Sequence, residues 1–89
     1  MTTLDELRER GLFATAEYFA SLHRVTVKAM ISRSRGVEET RARHEFAAWL
    51  VEHEGFSAAG VGRLLGRDHT TILAAIRKCG AQPKVRVAV

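Results

Sequence analysis

The sequence predicts an all-α fold, a small helical bundle containing a helix-turn-helix. Three observations predict it. Apolar residues recur at three- and four-residue intervals along most of the chain, the period of an amphipathic helix. Residues with capping chemistry (Thr26, Ser57 and Asp68) stand just ahead of these runs, and Gly11, Gly55 and Gly66 interrupt or end them. The only alternating stretch, Lys84 to Val89 (KVRVAV), has no second strand in the chain to pair with.

Taken in order, Thr2 or Thr3 can cap the first helix, with Asp5 and Glu6 in its favourable first turn. Leu4, Leu7, Phe13, Ala16, Tyr18, Phe19 and Leu22 continue the period, and Gly11 splits or bends it. Phe13, Tyr18 and Phe19 read as an aromatic core stripe. Thr26 caps one or two turns holding Val27, Met30 and Ile31. Ser32-Arg33-Ser34-Arg35-Gly36 follows, a loop without an apolar residue. It is either simply solvated or a basic arm that reaches phosphates or a narrow minor groove, whose negative potential attracts arginine.

Val37 to Glu54 reads as the longest helix, with Phe46, Trp49, Leu50 and His53 on one inward stripe and Ala42 a turn earlier. Arg41, Arg43 and His44 form a basic group near its start. Two readings stand for that group: a solvated face, or phosphate contact. Gly55-Phe56-Ser57 breaks this helix and caps a shorter one, in which Val61, Leu64 and Leu65 face inward. Gly60 and Gly62 each cost about 1 kcal/mol of helix propensity relative to Ala, which points to a close approach by another backbone. Gly66 supplies a left-handed helix end, and Asp68 is the N-cap of the last helix, with Thr71 at its third position. Two short helices joined by a Gly-containing turn make the helix-turn-helix. The tail from residue 80 to 89, after Gly80 and Pro83, is expected to be a mobile terminus, or else to pair with something outside the monomer.

With 89 residues and 46% apolar content, the chain reads as one domain, 1–89. No apolar run approaches the roughly 18–20 residues that span a bilayer, and the start lacks a basic-then-apolar signal pattern, so a cytoplasmic location is expected. Cys79 is the single cysteine, which excludes an internal disulfide and a multi-cysteine zinc site. The formal charge is +4. The first twenty residues carry −2, from Asp5, Glu6, Glu9 and Glu17 against Arg8 and Arg10, which leaves +6 on the remainder. A basic body with an acidic leader suits a polyanion partner.

The chemistry concentrates at Arg67-Asp68-His69-Thr70-Thr71. Threonine methyls meet thymine methyls, threonine hydroxyls bond bases or phosphates, and His or Asp side chains hydrogen-bond base edges. Asp68 can also cap the helix and orient Arg67. Arg77 and Lys78 either reach phosphates or complement the C-terminal dipole. An enzyme is not expected. Asp68 and His69 are sequence neighbours about 100° apart on a helix and make no dyad. No nucleophile motif, no Walker A sequence and no HExxH arrangement of His44 and His53 with Glu45, Glu52 or Glu54 occurs. No catalytic residue, metal, cofactor or small-molecule substrate is expected.

Gly66-Arg67-Asp68-His69-Thr70-Thr71-Ile72-Leu73 closely resembles the signature of the C-terminal, DNA-box-binding domain of the bacterial replication initiator DnaA. The similarity runs back through Ser57 to Leu65, Arg41-Ala42-Arg43, Ser32-Arg33-Ser34-Arg35 and Ala16-Glu17-Tyr18-Phe19, about residues 14–79 in all. The resemblance implies an all-α fold that binds a short asymmetric box of double-stranded DNA. It implies that Asp68, His69, Thr70 and Thr71 enter the major groove and that Arg35 enters the adjacent minor groove. Arg43, His44, Lys78 and the helix start at Ser57 would lie near the backbone. Added to the readings from residue type, the backbone set becomes Arg33, Arg41, Arg43, His44, Ser57, Arg67 and Lys78.

There are departures from the family pattern. Leu65 is followed by Gly66 alone where the family commonly has two glycines. Ala74 stands where His is frequent, and His44 where Gln is frequent. No ATPase module precedes the domain, so a freestanding regulator of transcription or replication is expected, without ATP-driven melting. The alternative is a protein-interaction module on the same fold, with the acidic leader or the KVRVAV tail contacting a partner or a second copy. RNA binding is less favoured, because the stacking aromatics that sequence-specific RNA binders display read here as buried.

Overall fold

The computed structural model describes residues 3–32 and 36–79. Among them are six helices and no strand: α1 (Thr3–Glu9), α2 (Phe13–Leu22), α3 (Val27–Ile31), α4 (Val37–His53), α5 (Ala58–Leu65) and α6 (His69–Cys79). The all-α class is the one the sequence predicts. No helix among the described residues is long and apolar enough to cross a membrane. Thr2, Arg33, Arg35 and the KVRVAV tail lie outside the described residues. Packing divides the chain into two compact units, Met1–Phe46 and Ala47–Val89, with the boundary inside α4.

In the first unit Gly11 splits the N-terminal run. Its φ of +70° is cheap only for glycine, and the Leu12 N–H returns to the Leu7 carbonyl at 2.8 Å. Thr26 caps α3, its hydroxyl accepting from the Ala29 N–H at 3.0 Å. Leu7, Leu12, Ala16, Ala20, Val27, Met30, Ala42 and Phe46 form the buried apolar set.

The aromatic stripe needs correction. Tyr18 is 60% exposed and lies edge-on to Phe19, with ring centroids 5.2 Å apart. Phe19 alone of the pair turns toward Phe46, at 6.0 Å. The reason is helical phase. Ala16 and Ala20 take the inward face of α2, and Tyr18 and Leu22 each follow one of them by two residues, roughly 200° around the helix. Leu22 is accordingly 55% exposed.

In the second unit Ala47, Ala48, Leu50 and Val51 of α4 are buried, but His53 is exposed rather than part of the inward stripe. Its ring lies 5.5 Å from that of half-buried Trp49, a turn earlier. Gly55, at φ +74°, ends the helix. Ser57 then caps α5, its Oγ accepting from the Gly60 N–H at 3.0 Å. Val61, Leu64 and Leu65 face inward as predicted.

Gly66 ends α5 in the left-handed conformation, φ 67° and ψ 36°. Its N–H and that of Arg67 converge on the Gly62 carbonyl, the latter at 2.8 Å. The return is so tight that a Cβ built on Gly62 would lie 2.6 Å from the Arg67 carbonyl oxygen and 3.4 Å from the His69 nitrogen. Gly62 is therefore the close-approach glycine. A Cβ at Gly60 would meet only the Ser57 hydroxyl at 3.2 Å and the Phe56 ring at 3.5 Å. Gly62→Ala is expected to destabilise by about 1–3 kcal/mol, because the Arg67 backbone cannot yield without breaking the turn. Gly60→Ala is expected to stay within about 1 kcal/mol of the parent, since improved helix propensity offsets the crowding of the cap. Urea unfolding of both variants measures the contrast, and equal midpoints would contradict it.

Candidate nucleic-acid interface

The last helix is anchored by its back and open at its front. Ile72, Ala75 and Ile76 are buried, at 2%, 1% and 8% exposure. Leu73, also in the apolar run, sits at the edge with 37% exposed. Asp68, His69, Thr70 and Thr71 are all exposed. They occupy the N-cap and the first three helical positions, where the free N–H groups and the positive end of the dipole lie.

Asp68 Oδ1 accepts from the Thr70 N–H at 3.3 Å and stands 3.5 Å from His69 Nδ1. The cap uses one carboxylate oxygen and leaves the carboxylate accessible. The threonine hydroxyls, the imidazole edge and this carboxylate thus share one exposed turn. They offer donors, acceptors and methyl groups on a single small surface, the mixture needed to distinguish base edges in a major groove.

The backbone set divides. Ser57 is exposed at the start of α5, Lys78 is exposed in the last turn of α6, and Arg67 is half-buried in the turn between them. Arg63 is a basic residue that residue-type reasoning passed over. It is exposed in α5, directly after the Gly62 that abuts the turn. Its phase is legible in the sequence, since Val61, Leu64 and Leu65 claim the inward positions around it. From Ala58 to Cys79 the cations Arg63, Arg67, Arg77 and Lys78 face a single acid, Asp68.

In the first unit Arg41 is exposed and 3.7 Å from Glu38, and His44 is half-buried. Arg43 requires correction. It is only 9% exposed, and its guanidinium donates to the Met30 carbonyl at 2.9 Å, the Ser32 carbonyl at 3.3 Å and Thr40 Oγ1 at 3.4 Å. Helical phase explains the burial. Arg43 lies between Ala42 and Phe46 on the inward side of α4, beside the Met30 and Ser32 carbonyls at the end of α3. It is an internal anchor for that helix end and not a surface cation. Arg33 and Arg35 belong to the basic loop outside the described residues. No family model, curated protein or solved structure matches the chain.

The Arg43 geometry sets an expected outcome. Arg43→Met keeps the stem but removes the buried guanidinium bonds to two backbone carbonyls, and should destabilise by roughly 1–3 kcal/mol. Arg41→Met, at an exposed site, should change stability by no more than about 0.5 kcal/mol. Denaturant unfolding of the two variants distinguishes the buried arginine from its exposed neighbour.

Proposed function

We propose that this protein binds double-stranded DNA sequence-specifically, as a regulator of transcription or replication related to the box-binding domain of the DnaA initiator. Residues 58–79 act as its helix-turn-helix. The observation that carries the reading is the exposed Asp68-His69-Thr70-Thr71 turn, held on a helix whose back is buried and whose start is locked against Gly62. A reading surface needs side chains fixed by a rigid support, because ordering them on binding would cost affinity.

Arg63, Arg67, Arg77 and Lys78 supply the sequence-independent attraction to phosphate, with the Ser57 end of α5 as a further contact. Arg41, Arg33 and Arg35 contribute from the first unit, Arg35 toward the minor groove. Phosphate contacts set affinity and register, and the turn sets sequence choice. The protein works in the cytoplasm and needs no cofactor.

A second reading has its own observation. Tyr18 and Leu22, one turn apart on α2, are large apolar side chains left more than half exposed, and such a pair suits a protein partner.

Selection of bound sequences from a random DNA pool separates the two. The DNA reading expects an enriched, asymmetric site. On that site, neutralising about five phosphates gives a slope of log affinity against log salt of roughly −4 to −5. Arg63→Gln should lower the slope by about 1 and leave the selected site unchanged. Thr70→Ala should relax preference at one position by about 1–3 kcal/mol. Absence of enrichment, with binding that disappears at physiological salt, favours the protein-partner reading. Unaltered site selection after joint replacement of His69, Thr70 and Thr71 excludes the turn as the reader.

A further inference from the structure

Nothing in the sequence pattern singles out His23, yet the fold places it between two carboxylates. It is the residue that ends α2, and its side chain is only 14% exposed. Nε2 lies 2.9 Å from Glu45 Oε1, and Nδ1 lies 3.5 Å from Glu38 Oε2. Both acids come from α4. They are seven residues apart and so share one face, roughly 10.5 Å apart along the axis. A neutral imidazole has one N–H and one lone pair, and can donate to only one of these carboxylates. Its second nitrogen would then turn a lone pair toward a charged oxygen. Only the imidazolium suits both neighbours.

We propose that His23, Glu38 and Glu45 form a proton-operated latch, which fastens the end of α2 to α4 inside the Met1–Phe46 unit. The protonated ring clasps both acids, and loss of the proton releases one of them. Glu38 has an alternative when released, because its other oxygen lies 3.7 Å from the Arg41 guanidinium. The charged groups acting on the ring are Glu45 and Glu38. Arg24, beside it on its own segment, and Lys28 of α3 are both exposed.

The hydrogen bond to Glu45 holds the His23 pKa above its ordinary 6.5, against the opposing effect of burial, with Glu38 adding to the rise. The sign of the stability effect follows. A pKa raised on folding adds stability that is fully present below pH 6.5 and is lost as pH rises through the folded value. The latch therefore weakens as pH rises above 6.5 through that folded value, on the alkaline side of an ordinary histidine's titration.

The experiment is a histidine titration by NMR on the full chain from pH 5 to 9. His23 is assigned by its loss in His23→Gln, or through its ring contacts if that variant does not fold. The expected His23 midpoint lies above 6.5, falls in Glu45→Gln and falls less in Glu38→Gln. Both glutamates are about half exposed, at 43% and 51% of the side chain, so their replacement leaves the fold in place. Thermal midpoints measured in parallel should drop between pH 6 and 9 more steeply for the parent than for Glu45→Gln. A His23 midpoint at or below 6.5, or one unmoved by Glu45→Gln, overturns the latch. So does a thermal profile equally steep in the parent and in Glu45→Gln.

Discussion

A missing side chain at Gly62 sets the geometry of the second unit. The Gly66 and Arg67 amides both return to the Gly62 carbonyl, and the Arg67 carbonyl occupies the space a β-carbon would need. Any larger residue would push the turn outward and shift the start of α6. Because the turn is fixed, α6 begins at His69 in one rotational phase. That phase buries Ile72, Ala75 and Ile76 and exposes residues 68–71. One steric allowance thus decides which side chains of the last helix face the core and which face outward. The roughly 1 kcal/mol that glycine costs in a helix is small beside the packing it permits.

The first unit is held differently. Its buried apolar set is rich in small residues, with Ala16, Ala20 and Ala42 among the best covered. Small side chains bury little area each, at ~25 cal/mol per Å² of apolar surface. Directional bonds supplement them there. Arg43 satisfies carbonyls at the end of α3, and His23 reaches two acids of α4. Such bonds are modest when made and expensive when half-broken, so they fix the relation of α2, α3 and α4 more sharply than they raise stability. They also change the electrostatic reading. Arg43 counts toward the basic body of the sequence, but a guanidinium spent on internal carbonyls adds little for a partner to grasp. The accessible attraction rests more on Arg63, Arg77 and Lys78 than the charge total suggests.

What could be read beforehand follows from range. Caps and glycine ends are local, and Thr26, Ser57, Asp68, Gly55 and Gly66 stand where short-range chemistry puts them. The close approach at Gly62 was legible because a costly glycine inside a helix asks for a reason. The end of α2 was less legible, since Arg24 takes the left-handed conformation at φ 58° where glycine would have announced it. Tyr18 is hard to place from sequence because three aromatics suggest a stripe, although two alanines at spacing four define the inward face. His23 and Arg43 were not legible at all as anchors. Their partners lie 22 and 13 residues away in the chain, and no periodicity reports a bond of that range.

Asp68 bears most directly on how the candidate interface divides its labour. An acid among four cations weakens attraction to any polyanion, most of all when exposed beside them. Capping alone does not explain it, since Ser or Asn caps a helix about as well without the charge. An exposed carboxylate in such a place gains from the helix dipole, but its cost among cations asks for a further return that a neutral cap cannot give. On the proposed reading, that return is acceptance of a hydrogen bond from a base amino group such as that of cytosine. The same charge repels phosphate wherever the base does not match. The cations would then draw the turn to any DNA, while Asp68 would make every wrong register slightly worse. Affinity and discrimination would reside in different side chains of one short helical pair.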